Sequence, residues 1–207
     1  MTVQFSKELL EQYFAPGIDR CRPSGLRDLS GEIADRSWAQ NHFLNSICGS
    51  RFNEEWRSRV VVLAFRVRAG FDAYDRARLD CEAFVKNSIE GHPATRQYFS
   101  AIAQWEMVVL NLHHAIDIFR QLEGKELFEE ANGVANLREV ANRIKHCAED
   151  IETGLHKGLT IPMWMTDTGL KTRTAELNFG ELIDNLVAMA RIVGELQNPS
   201  ELVARRP

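Results

Sequence analysis

Apolar residues recur along this chain at three- and four-residue steps, the spacing that puts one stripe of side chains on one side of an α-helix. The cleanest run is Tyr98, Ile102, Trp105, Val109, Leu112, Ile116 and Phe119, which predicts a helix over 94–122. Before it, Trp56, Val60, Leu63, Val67, Phe71, Tyr74, Cys81 and Val85 predict another over 53–88, with Arg78 breaking the repeat once. Gly91-His92-Pro93 separates the two, and proline suits the first turn of a following helix. Two long helices joined by so short a turn make an antiparallel hairpin. Gly70 costs about 1 kcal/mol against alanine in a helix, so it marks a bend or a close crossing.

Other periodic stretches complete the pattern. A short helix starts near Ser6 and stops before Pro16-Gly17; a second segment, about Leu26 to Cys48, is interrupted near Gly31. Leu137, Val140, Ala141, Ile144, Ala148 and Ile151 predict a helix running to a stop at Gly154. Leu182, Leu186, Met189, Val193 and Leu196 follow an Asn178/Glu181 capping box. The acidic stretch 124–133 reads as a short helix or loop. Between the last two long helices, Thr160 to Met165 is apolar, Asp167-Thr168-Gly169 is turn chemistry, and Leu170, Thr172 and Thr174 alternate. Pro162 confines the first of these strands to an edge. The expected fold is all-α: an up-down helical bundle built on a long antiparallel hairpin, with a small extended or β-hairpin insert near 159–177. Residues 1–207 form a single helical domain, with a flexible tail from about 199.

With 44% hydrophobic and 26% charged residues, the chain has the composition of a soluble globular domain. Its formal net charge of −4 gives no global basic field to attract nucleic acid or an anionic membrane, and no DNA-binding motif is present. No apolar run reaches bilayer length and the first residues carry charges, so a cytoplasmic location off the membrane is expected. Cys21, Cys48, Cys81 and Cys147 lack metal-ligand spacing and read as small apolar residues of a reducing compartment. Neither a metal nor a cofactor is expected: His113 and His114 are adjacent and point to different sides, and no Glu-x-x-His motif accompanies them. Both read as structural histidines, with Asp117 one turn after His113 as its hydrogen-bond partner.

The helix over Leu137–Gly154 carries the chemistry. Asn142 and His146 are four apart and stack on one side, Arg138 and Glu149 extend that side, and Arg143 and Lys145 flank it. Such a face is either simply solvated or assembled to hold a phosphate, since imidazole moves protons near neutral pH and cations stabilise phosphoryl charge. An all-α chain with a long hairpin and a late Asn142-Arg143-Ile144-Lys145-His146 segment resembles the HEPN superfamily. The resemblance extends to uncharacterised bacterial helical proteins with an Asn-x-x-Lys-His helix and a Pro-x-Trp-x-Thr insert, here Pro162 to Thr166. Many HEPN proteins are dimeric, metal-independent endoribonucleases of toxin and phage-defence systems. Their motif is an arginine followed a turn or so later by histidine. The resemblance implies catalytic roles for His146 and Asn142, with Arg143 or Arg138 supplying the phosphate contact. It also implies a departure: the motif arginine is replaced by Ala141, which removes a bidentate phosphate clamp.

Three functions follow as expectations. The first is an interaction or oligomerisation protein, non-catalytic or degenerate, that binds a homo-oligomeric or other protein partner through Lys145, Glu149 and Trp164. The second is a metal-independent endoribonuclease acting on RNA through His146. The third, a metal-binding bundle using His42, His113 or His146, lacks ligand spacing.

Overall fold

The computed structural model describes residues 7–32, 54–90, 94–123, 133–154 and 158–196. Helix α1 (Lys7–Tyr13) is followed by an irregular stretch and a 3₁₀ turn at Ser30–Glu32. Then come α2 (Glu54–Ile89), α3 (Thr95–Glu123), α4 (Val134–Lys145) and α5 (Cys147–Glu152). Three short strands, β1 (Trp164–Met165), β2 (Gly169–Lys171) and β3 (Glu176–Asn178), lead into α6 (Phe179–Leu196). The fold is mostly helical with one small antiparallel sheet, as the periodicity predicts.

Helices α2 and α3 pack together along their length and form the frame. Every residue of the predicted α3 stripe, Tyr98 through Phe119, is buried. On α2, Val60, Leu63, Val67, Phe71, Tyr74 and Cys81 are buried against it, while Trp56 and Val85 pack at its edge. Arg78, where the repeat breaks, is held by Asp75 at 2.9 Å and Glu82 at 2.7 Å on its own helix. Helix α6 lies across both, its Leu182, Leu186, Met189, Val193 and Leu196 all buried. Trp105 joins the layers, with ring centroids 5.7 Å from Tyr74 and 4.9 Å from Phe179. Gly70 is the close crossing: a Cβ there would stand 3.1 Å from Leu186 Cδ1. The cap of α6 also appears, Asn178 Oδ1 accepting from the Gly180 N–H at 2.8 Å.

The insert differs from a hairpin by one strand. β1 pairs with β2 (Met165 opposite Leu170) and β2 with β3 (Leu170 opposite Leu177), so the expected second strand is two strands joined at Thr172–Ala175. Met165, Leu170 and Leu177 form a buried row across the sheet. Gly169 is required where β2 meets β3, because a Cβ would collide with the Leu177 carbonyl. Residues 13–24 clasp this sheet from outside. Ser24 N–H donates to the Asp167 carbonyl at 2.9 Å, Arg22 N–H to the Asp167 carboxylate at 2.6 Å, and Thr160 N–H to the Tyr13 carbonyl at 2.7 Å.

Two sequence expectations change. Residues 26–29 are not helical: Asp28 Oδ1 accepts from the Ser30 N–H at 2.8 Å, a local turn that competes with helix, and the Arg27 carbonyl accepts from Tyr74 Oη at 2.8 Å. The remainder of that segment (33–48), most of the acidic stretch (124–132), the tail and His42 lie outside the described residues. Cys21 and Cys81 are free and buried, and burial pushes both thiols up to about 12, leaving them unreactive. Among the described residues no helix is long and apolar enough to cross a membrane.

Candidate functional site

The predicted single helix over 137–154 is two helices. Helix α4 begins after Gly133, whose φ of 72° only glycine adopts freely and whose Cβ, if present, would lie 2.5 Å from Glu181 Oε2. It ends at Lys145; His146 then leaves helical geometry (φ −99°, ψ 20°), and α5 follows. Hydrogen bonds from His146 N–H to the Asn142 carbonyl and from Asp150 N–H to the His146 carbonyl, both 2.9 Å, carry the chain across the break.

That break rephases the buried face. Leu137, Val140 and Ala141 are buried and Ile144 packs against the core, as predicted. Ala148 and Ile151, assigned to the same buried stripe, are instead exposed, Ile151 by 57%. The residue turned inward on α5 is Asp150, 5% exposed. A carboxylate enters a core only with a partner, and Arg143 provides it. Its Nη1 is 3.0 Å from Asp150 and its Nε 2.9 Å from Glu139. Glu139 also accepts from the Thr174 hydroxyl at 2.8 Å. That hydroxyl bond and the Arg143 guanidinium hold the Glu139 carboxyl below its usual range. One arginine therefore ties α4, α5 and the β2–β3 turn together.

The other candidates separate by exposure. His146 is well exposed, with Nδ1 3.2 Å from Glu149 Oε2, itself in solvent. Lys145 is exposed and has no ion pair among the described residues; Asn142 and Arg138 are half-buried. Trp164 is 8% exposed, between the fully buried Met163 and Met165, so it covers the core from the edge strand of the sheet. The exposed corner thus comprises Lys145, His146, Ala148, Glu149 and Ile151.

A second polar group, on α3, comes close to this corner. His113 is buried, with Nε2 3.4 Å from Asp117 Oδ2 and its ring 6.0 Å from that of His114. Arg66 of α2 reaches over to donate to Asn111 Oδ1 at 3.2 Å. Burial is the main cause that holds His113 below its ordinary value; Asp117 opposes it, while Lys145, His114 and Arg138 add to it. Burial likewise leads for His114, with Lys145 and Arg66 behind it. The predicted His113–Asp117 contact is present. What spacing did not bring out is that Lys145, on another helix, adds to the depression of both imidazoles, and Arg66 to that of His114. The adjacent pair of histidines was the one visible signal. Among the described residues, no group of three or more His, Cys, Asp or Glu side chains is placed to hold a metal. No protein-family model, no curated protein and no solved structure matches this chain.

Proposed function

We propose that this chain is a non-catalytic, HEPN-like helical binding module that self-associates through the α4–α5 corner. The observation that carries this reading is the state of Arg143. The arginine nearest His146 in the motif is occupied by two carboxylates, and the motif's arginine position is the fully buried Ala141. The other arginine of that segment, Arg138, is half-buried and lies eight residues before His146. What the corner offers is a large apolar side chain, Ile151, among Lys145, His146 and Glu149. Opposite charges on one small face suit a two-fold interface, where Lys145 of one copy meets Glu149 of the other and the reverse.

Sedimentation velocity across a concentration series tests it. Self-association that is abolished by Ile151→Asp, with the fold unchanged by circular dichroism, supports the module; a monomer at every concentration overturns it. The competing reading is a metal-independent endoribonuclease, favoured by the exposed imidazole of His146 with a carboxylate beside it. RNA cleavage that survives EDTA and is lost in His146→Ala replaces the first reading with this one.

A further inference from the structure

We propose that Cys81 of α2, Met165 of β1 and Cys21 of the clasping segment form a sulfur-only site for one Cu(I) ion. The site is independent of the α4–α5 corner. Met165 is where the three residues meet. Cys81 Sγ lies 3.6 Å from Met165 Sδ, and Cys21 Sγ donates to the Met165 carbonyl at 3.6 Å. All three are buried, and both cysteines are free. Separations of 84 and 144 positions divide Met165 from its two cysteines, so the cluster is a product of the fold.

Two hydrogen-bond donors beside the cluster are idle. Trp105 is fully buried, yet its Nε1–H makes no hydrogen bond. A buried indole N–H ordinarily finds an acceptor. This one is directed at the Cys81 sulfur, falls short of a bond to the neutral thiol, and favours the thiolate. Tyr98, also fully buried, accepts from the Met165 N–H at 3.2 Å and donates its own hydroxyl hydrogen to nothing among the described residues. Neutral thiols leave both donors unused; thiolates would engage them.

The donor set selects the ion. Thiolate together with thioether suits soft Cu(I), while hard cations want oxygen. Spacing agrees: sulfurs each about 2.3 Å from one ion stand about 4.6 Å apart in a linear site and roughly 3.8–4.0 Å apart in a three- or four-coordinate one. The observed 3.6 Å is near the second case, which leaves a place for Cys21. Burial pushes both thiols up to about 12, so each gives its proton to solvent only as its bond to copper forms. Met165 shares a lone pair and releases nothing, and the copper stays Cu(I). Two protons therefore leave per ion, and binding strengthens about a hundredfold per pH unit below the thiol range. The single negative charge that remains is met by the Trp105 and Tyr98 donors. Arg22 and Ser24 bond to Asp167 at the surface beside Cys21, and opening of these bonds admits the ion.

The full chain, reduced and kept free of oxygen, tests the site. Cu(I) is supplied as its acetonitrile complex, and a chromophoric Cu(I) chelator competes for it. The expected result is one Cu(I) kept per chain, two protons released, and an X-ray absorption spectrum with sulfur neighbours alone. Cys48→Ser/Cys147→Ser is expected to bind as the parent does, and Cys21→Ala/Cys81→Ala to lose the ion. Met165→Leu, close in volume, is expected to hold it about tenfold more weakly. Circular dichroism checks the fold of each variant, and the absorption spectrum reads the ligands on the unaltered chain, so a variant that fails to fold leaves the test intact. Complete loss of Cu(I) to the chelator overturns the proposal. So do nitrogen or oxygen neighbours in the spectrum, undiminished binding in Cys21→Ala/Cys81→Ala, or parental affinity in Met165→Leu.

Discussion

The α2–α3 hairpin and the α4–α5 corner are built on opposite terms. In the hairpin, apolar stripes face each other along its length, and the few polar residues among them find partners on the same two helices, Arg78 with Asp75 and Glu82, His113 with Asp117 and Asn111 with Arg66. In the corner, the apolar stripe stops at Ile144, and the inward position on the next turn goes to a carboxylate. One region is held by area removed from water, the other by a single guanidinium between two acids. The difference teaches why the first is insensitive to surface change and the second is free to present a face.

The contrast predicts unequal responses to substitution. Trp105→Ala, which removes the ring joining α2, α3 and α6, is expected to cost about 3–5 kcal/mol in urea unfolding. Arg143→Met leaves Asp150 buried without its partner and is expected to cost about 2 kcal/mol, less than a fully buried pair because Arg143 is partly solvated. A double-mutant cycle refines this: coupling of Arg143 to Asp150 exceeds its coupling to Glu139, whose side chain is 36% exposed. A hairpin less sensitive than the corner would end the distinction.

Next comes a pH effect on the hairpin side. His113 and His114 are both depressed from 6.5 in the folded chain, so the unfolded chain binds more protons just below that value. Their contribution is complete above 6.5 and is lost as pH falls through 6.5 towards the folded values. Unfolding followed at pH 7.5, 6.5 and 5.5 is expected to show this decline, with a shallower slope in His113→Asn/His114→Gln. The smallest effect belongs to Ile151→Ala, which is expected to leave stability within about 0.5 kcal/mol of the parent because the side chain is already in water. A larger loss in a dilute monomer would mean that α5 is anchored by its apolar side after all.

These two regions also divide what could be read from residues alone. The hairpin was legible because its period is set by contacts that recur every turn, and Tyr98 to Phe119 contains no exception. The helix break at His146 was not, because its cause lies elsewhere in the chain: Asp150 turns inward only because Arg143 is oriented by Glu139, which Thr174 holds from the β2–β3 turn. Likewise the stretch at 26–29 carries helical periodicity but is captured by the Tyr74 hydroxyl. The polar residues of the motif were identified by spacing, yet spacing could not say that Arg143 is spoken for, nor that the charge of Lys145 adds to the depression of histidines on another helix. Partnership across helices depends on their packing register, which a linear pattern does not encode.

The clasp between the start of the chain and the sheet has a temporal consequence. Strands of two or three residues do not persist by themselves, so this sheet depends on what grips it, including the Asp167 bonds to Arg22 and Ser24. During synthesis the gripping residues emerge well over a hundred positions ahead of the residues they hold. The hairpin, made of near neighbours, forms in that interval, and the gripping residues wait beside it until the strands arrive. Sealing the sheet is thus the job of residues made long before it.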